Sequence, residues 1–360
     1  MPRTTRRALI LAALAAPFVA RAAAAALPRI APVAGGLDEP WSLAFLPDGR
    51  FLITERDGRL KLFAPEGGPA RMVGGLPEVA ASGQGGLLDI RPARDFAASR
   101  RLWLSYAAPK GGGAATAIAT ALLAADGSRL TDLREVYAGP GSSGGRHFGS
   151  RIVEGPDGTI YLTTGDRGQA RRSQDLGRPE GKVIAFAPDG TPRAPAIPGA
   201  LPGLVSLGHR NIQGATLDAQ GTLWTIEHGA RGGDELNRIR PGTNYGWPII
   251  TYGRDYSGAP IGEGIEKAGL EQPVHYWDPS IAPSGLLIHS GRMFGDWRGH
   301  VLTGSLNSGL IARLDPAAAY AEARIETPET GRVRDIREAQ DGAIWFLSVR
   351  EGTAFRMTPA

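Results

Sequence analysis

The 360-residue chain has no cysteine. Disulfides, thiolate metal sites and cysteine nucleophiles are therefore excluded. It also lacks any basic run, or any interleaving of basic and aromatic residues, of the kind that tracks a nucleic acid. The formal net charge is +4, and residues 1–24 carry four of the arginines and no acid. Without that segment the charge falls to about zero, so the basic isoelectric point names no acidic partner. Long apolar runs are missing too. Ala8 to Ala20 is too short and too alanine-rich to span a bilayer. With Arg3, Arg6 and Arg7 before it and small residues at Ala20, Ala22 and Ala24 at its end, it reads as a signal peptide. Thr5-Arg6-Arg7-Ala8-Leu9 resembles a twin-arginine signal, and the pair serves equally as the basic region of an ordinary export signal. The expectation is a signal at 1–24 and a single domain at 25–360, exported to the periplasm without stable membrane insertion. No Gly-x-Gly-x-x-Gly sits between a strand and a helix, so a nicotinamide-binding site has no support.

Convincing helices are scarce, whereas glycine is abundant at 51 residues. The glycines fall at turns between β-rich runs, often as Asp-Gly, a strong hairpin signal. Trp41–Phe45 leads through Pro47-Asp48-Gly49 to Phe51–Glu55, and Arg151–Val153 leads through Pro156-Asp157-Gly158 to Ile160–Thr164. Similar units begin at Gly86, Asn211, Ser284 and Arg334, which makes six. An aromatic soon after the turn recurs and is expected to pack between neighbouring sheets. Repeats of a few strands predict an all-β, six-bladed β-propeller. A β-sandwich array is the alternative; the similarity of first and last units favours radial closure. Asp315–Tyr320 reads as a short helical turn.

A propeller gathers loops from every blade at one end of its axis, so residues distant in sequence can meet there. The polar exceptions near strand ends are Gln84, His147, Asp166, Arg210, Asn211, Arg332 and Arg334. His147 lies in a glycine-rich loop, Gly144-Gly145-Arg146-His147-Phe148-Gly149. Asp166 ends a strand in the next stretch, where it either meets the imidazole, orienting the ring and favouring its protonated form, or bonds its own turn. Alternation puts Arg332 and Arg334 on one face of a strand. They repel unless an anion lies between them, and arginine forks match carboxylates. The densest polar stretch runs from Leu207 to Pro248. Its Glu227–Glu235 loop offers carboxylates and free carbonyls, the hard oxygen ligands that Ca²⁺ prefers.

Gly208-His209-Arg210-Asn211-Ile212-Gln213-Gly214, then Glu227-His228-Gly229-Ala230-Arg231-Gly232-Gly233-Asp234-Glu235, then Pro241–Pro248 resemble the soluble periplasmic aldose sugar dehydrogenases and soluble glucose dehydrogenases. These use pyrroloquinoline quinone (PQQ). The resemblance runs in order from about Gly36 to the C-terminus. It implies His147 as general base with Asp166 beside it, and Arg210 and Asn211 at the reactive carbonyls of PQQ. It implies further cofactor contacts from Gln84, Thr251, Tyr256, Ser305, Leu306, Asn307, Arg332 and Arg334. The carbonyls of Gly229 and Ala230 would hold the Ca²⁺ that touches PQQ, and Glu235 with the Tyr245 carbonyl a second Ca²⁺. Two departures stand out. Asn307 replaces a lysine that pairs with a PQQ carboxylate, and Ala230 replaces a proline, losing its fixed φ. The implied activity is oxidation of an aldose at the anomeric carbon to an aldonolactone, with electrons passed to an external acceptor, by a monomer or homodimer. A Ca²⁺-dependent propeller lactonase and a non-catalytic binding propeller are the alternatives.

Overall fold

The computed structural model describes residues 27–360. The signal-peptide expectation for 1–24 lies outside them. Among the described residues the strands form six four-stranded antiparallel sheets. Blade 1 comprises Pro40–Phe45, Phe51–Glu55, Arg59–Ala64 and Gly67–Met72. Blade 2 comprises Leu87–Pro92, Arg101–Lys110, Gly113–Leu123 and Leu130–Ala138. Blade 3 follows with Gly149–Glu154, Ile160–Thr164, Lys182–Phe186 and Leu204–Leu207. Blade 4 has Ile212–Leu217, Leu223–Glu227, Asp234–Arg238 and His275–Trp277. Blade 5 has Pro283–Ile288, Val301–Ser305, Ile311–Asp315 and Ala321–Ile325. Blade 6 takes Val333–Glu338, Ile344–Ser348 and Thr353–Thr358 from the end of the chain. Its outermost strand, Arg29–Ala34, comes from the beginning and pairs antiparallel with Thr353–Thr358. The six-bladed all-β architecture is thus as the repeats predict, and the pairing of first and last strands closes the ring.

The six sequence units are the two inner strands of each blade. The aromatics after their turns fill the seams between blades. Trp345 of blade 6 meets Phe45 and Phe51 of blade 1 at 5.2 and 5.1 Å. Trp103 of blade 2 is buried with Ile152 and Ile160 of blade 3. Trp224 of blade 4 shares a buried cluster with Ala312 and Leu314 of blade 5. Among the described residues helix is confined to the four residues Phe96–Ser99 and short 3₁₀ turns, one being Pro316–Ala318 where the sequence suggests a turn. No helix of the described residues is long and apolar enough to cross a membrane.

The axis is ionic. Arg151 of blade 3 reaches Asp335 of the opposite blade 6 at 3.0 Å, a contact available only at the centre of the ring. Arg337 bonds both Asp335, at 2.9 Å, and Asp89 of blade 2, at 3.0 Å. The acids also accept backbone N–H groups, Asp335 from Leu43 and Asp89 from Ile152. Burial pushes the Asp89 carboxyl up, but Arg337 and Arg151 pull it down further, and it sits below the ordinary carboxylate range. Buried charge is tolerated here because each ion has opposite charges and hydrogen bonds around it.

Candidate functional site

Loops entering and leaving the inner hairpins surround a cavity of about 370 Å³ at one end of this axis. Its walls repeat one position around the ring. Arg56, His228, Leu306 and Val349 each immediately follow the second strand of a blade, and Gln84, Asn211, Ala282 and Arg332 lie just before first strands. A second cavity shares Gln84, His228, Ala282 and Asn307 with the first and adds His147, Arg210, Gly229, Ala230 and Tyr256. The two form one connected site.

The site is rich in cations short of acids. Arg334 bonds only neutral groups, Gln213 Oε1 at 2.9 Å and Ser284 Oγ at 3.4 Å. Burial, with Arg151, Arg332 and Arg56 nearby, pushes its guanidinium down to about 9. Arg332 donates to the Leu306 carbonyl at 2.9 Å. It does not lie in the strand with Arg334, as alternation suggests. It precedes the strand with φ of 57°, and a register shift follows at Val333–Asp335. Both arginines nonetheless line the same cavity. Arg210 sits over the Trp247 ring at 5.3 Å, and its buried Nε has no partner among the described residues. A pocket with such groups fits an anion. Trp41, Leu88, Phe148 and Val349 add apolar wall.

His147 lies at the mouth with φ of 54°, an uncommon conformation for a non-glycine residue. Its backbone N–H is held by Gln84 Oε1 at 2.7 Å. Its Nδ1 meets Asp166 Oδ1 at 2.7 Å. Asp166 is itself fixed by the Trp247 indole N–H at 2.9 Å and the Gly168 N–H at 2.7 Å. The other ring nitrogen has no partner among the described residues, and the ring lines the second cavity. Burial lowers the His147 pKa; the Asp166 hydrogen bond raises it in part; Arg210 lowers it again, and the net direction is down. Asp166 therefore favours the protonated form, as its placement suggests, but burial outweighs it. The net shift favours the neutral imidazole. His228 is pushed to about 3 by burial, Arg334 and Arg210, and its Nε2 faces the Pro283 carbonyl at 2.9 Å.

Not every expected residue converges. Asn211 lines the first cavity, and its Oδ1 accepts from Gly149 N–H and Gln213. Leu306 and Asn307 line it too, although the Asn307 amide donates to the Ser280 carbonyl at 3.0 Å. Thr251 and Ser305 line neither cavity. The Thr251 hydroxyl accepts from Gly253 N–H in its own loop, and that of Ser305 donates to the Ile281 carbonyl of the segment before the blade's first strand. Tyr256 is 71% exposed at the outer rim. Gly229 and Ala230 line the second cavity beside His147 and Arg210, where backbone carbonyls suit a hard cation. Glu235 and Tyr245 lie elsewhere. Glu235 accepts from Asn237, which also bonds Glu227. Tyr245 stacks on His209, which bonds the same Glu227. Burial, Glu227 and Asp234 push Glu235 up to about 8, a crowding of acids that a cation would relieve. No three His, Asp or Glu side chains among the described residues form a metal cluster, so a hard cation at either place would draw much of its shell from carbonyls.

Sequence reasoning missed Glu39, Trp41, Arg56, Gln213 and His228, all of which line the first cavity. Superposing the six units would have found them, because they sit at or just beyond the ends of the inner hairpins, as the recognised residues do.

Residues 37–356 match the model of the glucose/sorbosone dehydrogenase family. The chain is 39% identical to the aldose sugar dehydrogenase YliI of Escherichia coli strain K12, over 87% of each chain. It resembles the crystal structure of the apo-form of the soluble aldose sugar dehydrogenase from Escherichia coli, with a TM-score of 0.87 and 36% identity over 92% of this chain and all of that one (100%). It also resembles the PQQ-bound aldose sugar dehydrogenase from Streptomyces coelicolor, with a TM-score of 0.78 and 28% identity over 92% of this chain and 98% of that one.

Proposed function

Starting from the glucose/sorbosone dehydrogenase family, to which this chain belongs, we propose that it oxidises aldoses at the anomeric carbon to aldonolactones, using PQQ and Ca²⁺. The observation that carries this reading is the junction of the two cavities. A neutral, Asp166-oriented imidazole opens on one side of it, and Arg332 and Arg334, which have no carboxylate partner among the described residues, line the other. The residues fit a flat tricarboxylate: Arg332 and Arg334 offer forks for carboxylates, and the orphaned Arg210 Nε and the Asn211 amide offer polar contacts at its reactive end. Gly229 and Ala230 would hold Ca²⁺ through their carbonyls. When bound, PQQ accepts a hydride and Ca²⁺ acts as a Lewis acid. His147 takes the proton of the anomeric hydroxyl, and Asp166 keeps the ring turned and supports the imidazolium that forms. Arg210 stabilises negative charge where it develops. Electrons then leave to an external acceptor in the periplasm. Purified apo-protein given PQQ and Ca²⁺ should show bound quinone absorbance and reduce a dye when an aldose is added; binding without dye reduction by any aldose would sink the reading.

Three further outcomes are expected. Arg334→Ala should weaken PQQ binding by about 10- to 100-fold, the value of a charged hydrogen bond, in a titration of apo-protein without sugar. Asn307→Lys should tighten it, since the amide brings no charge. An ion near Glu235 and the Tyr245 carbonyl would stabilise the fold by mass action. Chelator should therefore lower the melting temperature of the wild type more than that of Glu235→Gln. Equal sensitivity of the two proteins would place no ion there.

A further inference from the structure

Arg56 is a cation of the first cavity to which nothing above gives a role. It follows the second strand of blade 1, the ring position held by His228 in blade 4 and Leu306 in blade 5. Its guanidinium donates to Glu39 through Nε, at 2.8 Å, and Nη2, and to the Gly83 carbonyl through Nη1. A guanidinium has five N–H donors, so these three contacts leave two for another partner. The backbone on both sides is built to hold it. Glu39 has φ of 43°, and a Cβ on Gly86 would lie 1.8 Å from the Arg56 carbonyl oxygen. Among the described residues Glu39 is also the one carboxylate lining this cavity, and its side chain is 54% exposed against 23% for Arg56. Water screens that acid more than it screens the cation facing inward.

The charge count then matters. PQQ carries three carboxylates, and Arg332 and Arg334 account for two. Asn307 is neutral, and one of its two amide N–H donors already goes to the Ser280 carbonyl. Resting on the sugar-dehydrogenase reading, we propose that Arg56 is a cofactor-binding residue: its two remaining N–H donors meet the third carboxylate, and Glu39 holds the guanidinium in place at a cost in affinity.

Glu39 and Arg56 predict opposite signs, which separates binding from mere loop bracing. Apo-protein with Ca²⁺ and without sugar is titrated with PQQ, and Kd is read from the quinone absorbance. Arg56→Gln should raise Kd by about 10- to 100-fold, the value of a charged hydrogen bond. Glu39→Gln should lower Kd by roughly three- to tenfold, because it removes the competing charge and keeps the cation. An Arg56→Gln Kd equal to wild type overturns the proposal. So does a Glu39→Gln protein that binds more weakly, since that would make the ion pair a brace for the Gly83 loop. A wild type that binds no PQQ removes the sugar-dehydrogenase reading and this inference with it. A wild type that binds normally beside unchanged variants removes this inference alone.

Discussion

Replacing His147 with alanine is expected to lower kcat by about 10²- to 10⁴-fold, the usual contribution of a positioned base. PQQ binding should survive, because the imidazole lines the second cavity and, on the proposed reading, the cofactor carboxylates would be met by arginines of the first. Asp166→Asn should cost less and move the acid limb of the pH–rate profile to lower pH. The sign follows from the pair. Burial and Arg210 already depress the His147 pKa, and the Asp166 carboxylate partly restores it. Removing that carboxylate lets the pKa fall further, so the neutral base persists to lower pH. Steady-state dye reduction with saturating PQQ and Ca²⁺ checks both. A His147→Ala enzyme with near wild-type kcat on its best aldose would remove the histidine from the mechanism.

The second large effect lies at the axis. Asp335→Ala should destabilise the fold by about 3–5 kcal/mol, the cost of stripping one partner from a buried ion pair. Arg151 and Arg337 would then share Asp89 alone, and the Leu43 N–H would lose its acceptor. Combining Asp335→Leu with Arg151→Met should recover part of the loss, since removing opposite charges together leaves no buried ion uncompensated. Denaturant midpoints at constant m-value measure both. An Asp335→Ala midpoint equal to wild type would show that the cluster contributes nothing net.

The inner hairpins were legible because their Asp-Gly turns and alternating strands are local signals. The outer strands were not. Gly67–Met72 contains glycine and proline and is almost wholly exposed, so it carries no buried face to read. Arg29–Ala34 gave no sign of belonging to the last blade, because that pairing is set by ring closure. The site shows the same division. His147, Arg210 and Arg334 stand in distinctive loops and strands. Arg56 looks like the charged end of a hairpin until the ring brings it to Gly83 and Glu39. Arg151 and Asp335 lie in separate inner strands with no local sign of a partner, and only the meeting of opposite blades explains them. The Thr251 hydroxyl turns into its own loop and that of Ser305 toward the Ile281 carbonyl, choices of rotamer that no motif specifies.

The strand shared between the two ends of the chain also sets an order of events. Of the described strands, Arg29–Ala34 leaves the ribosome first and its partner Thr353–Thr358 last. Until then the Phe45 and Phe51 flank of blade 1 waits for Trp345. The axial salt bridges likewise wait for Asp335 and Arg337. Pairings this far apart in sequence form slowly. Ring closure is therefore the late step of folding, and a chain arrested before Trp345 keeps an open apolar edge on which to aggregate.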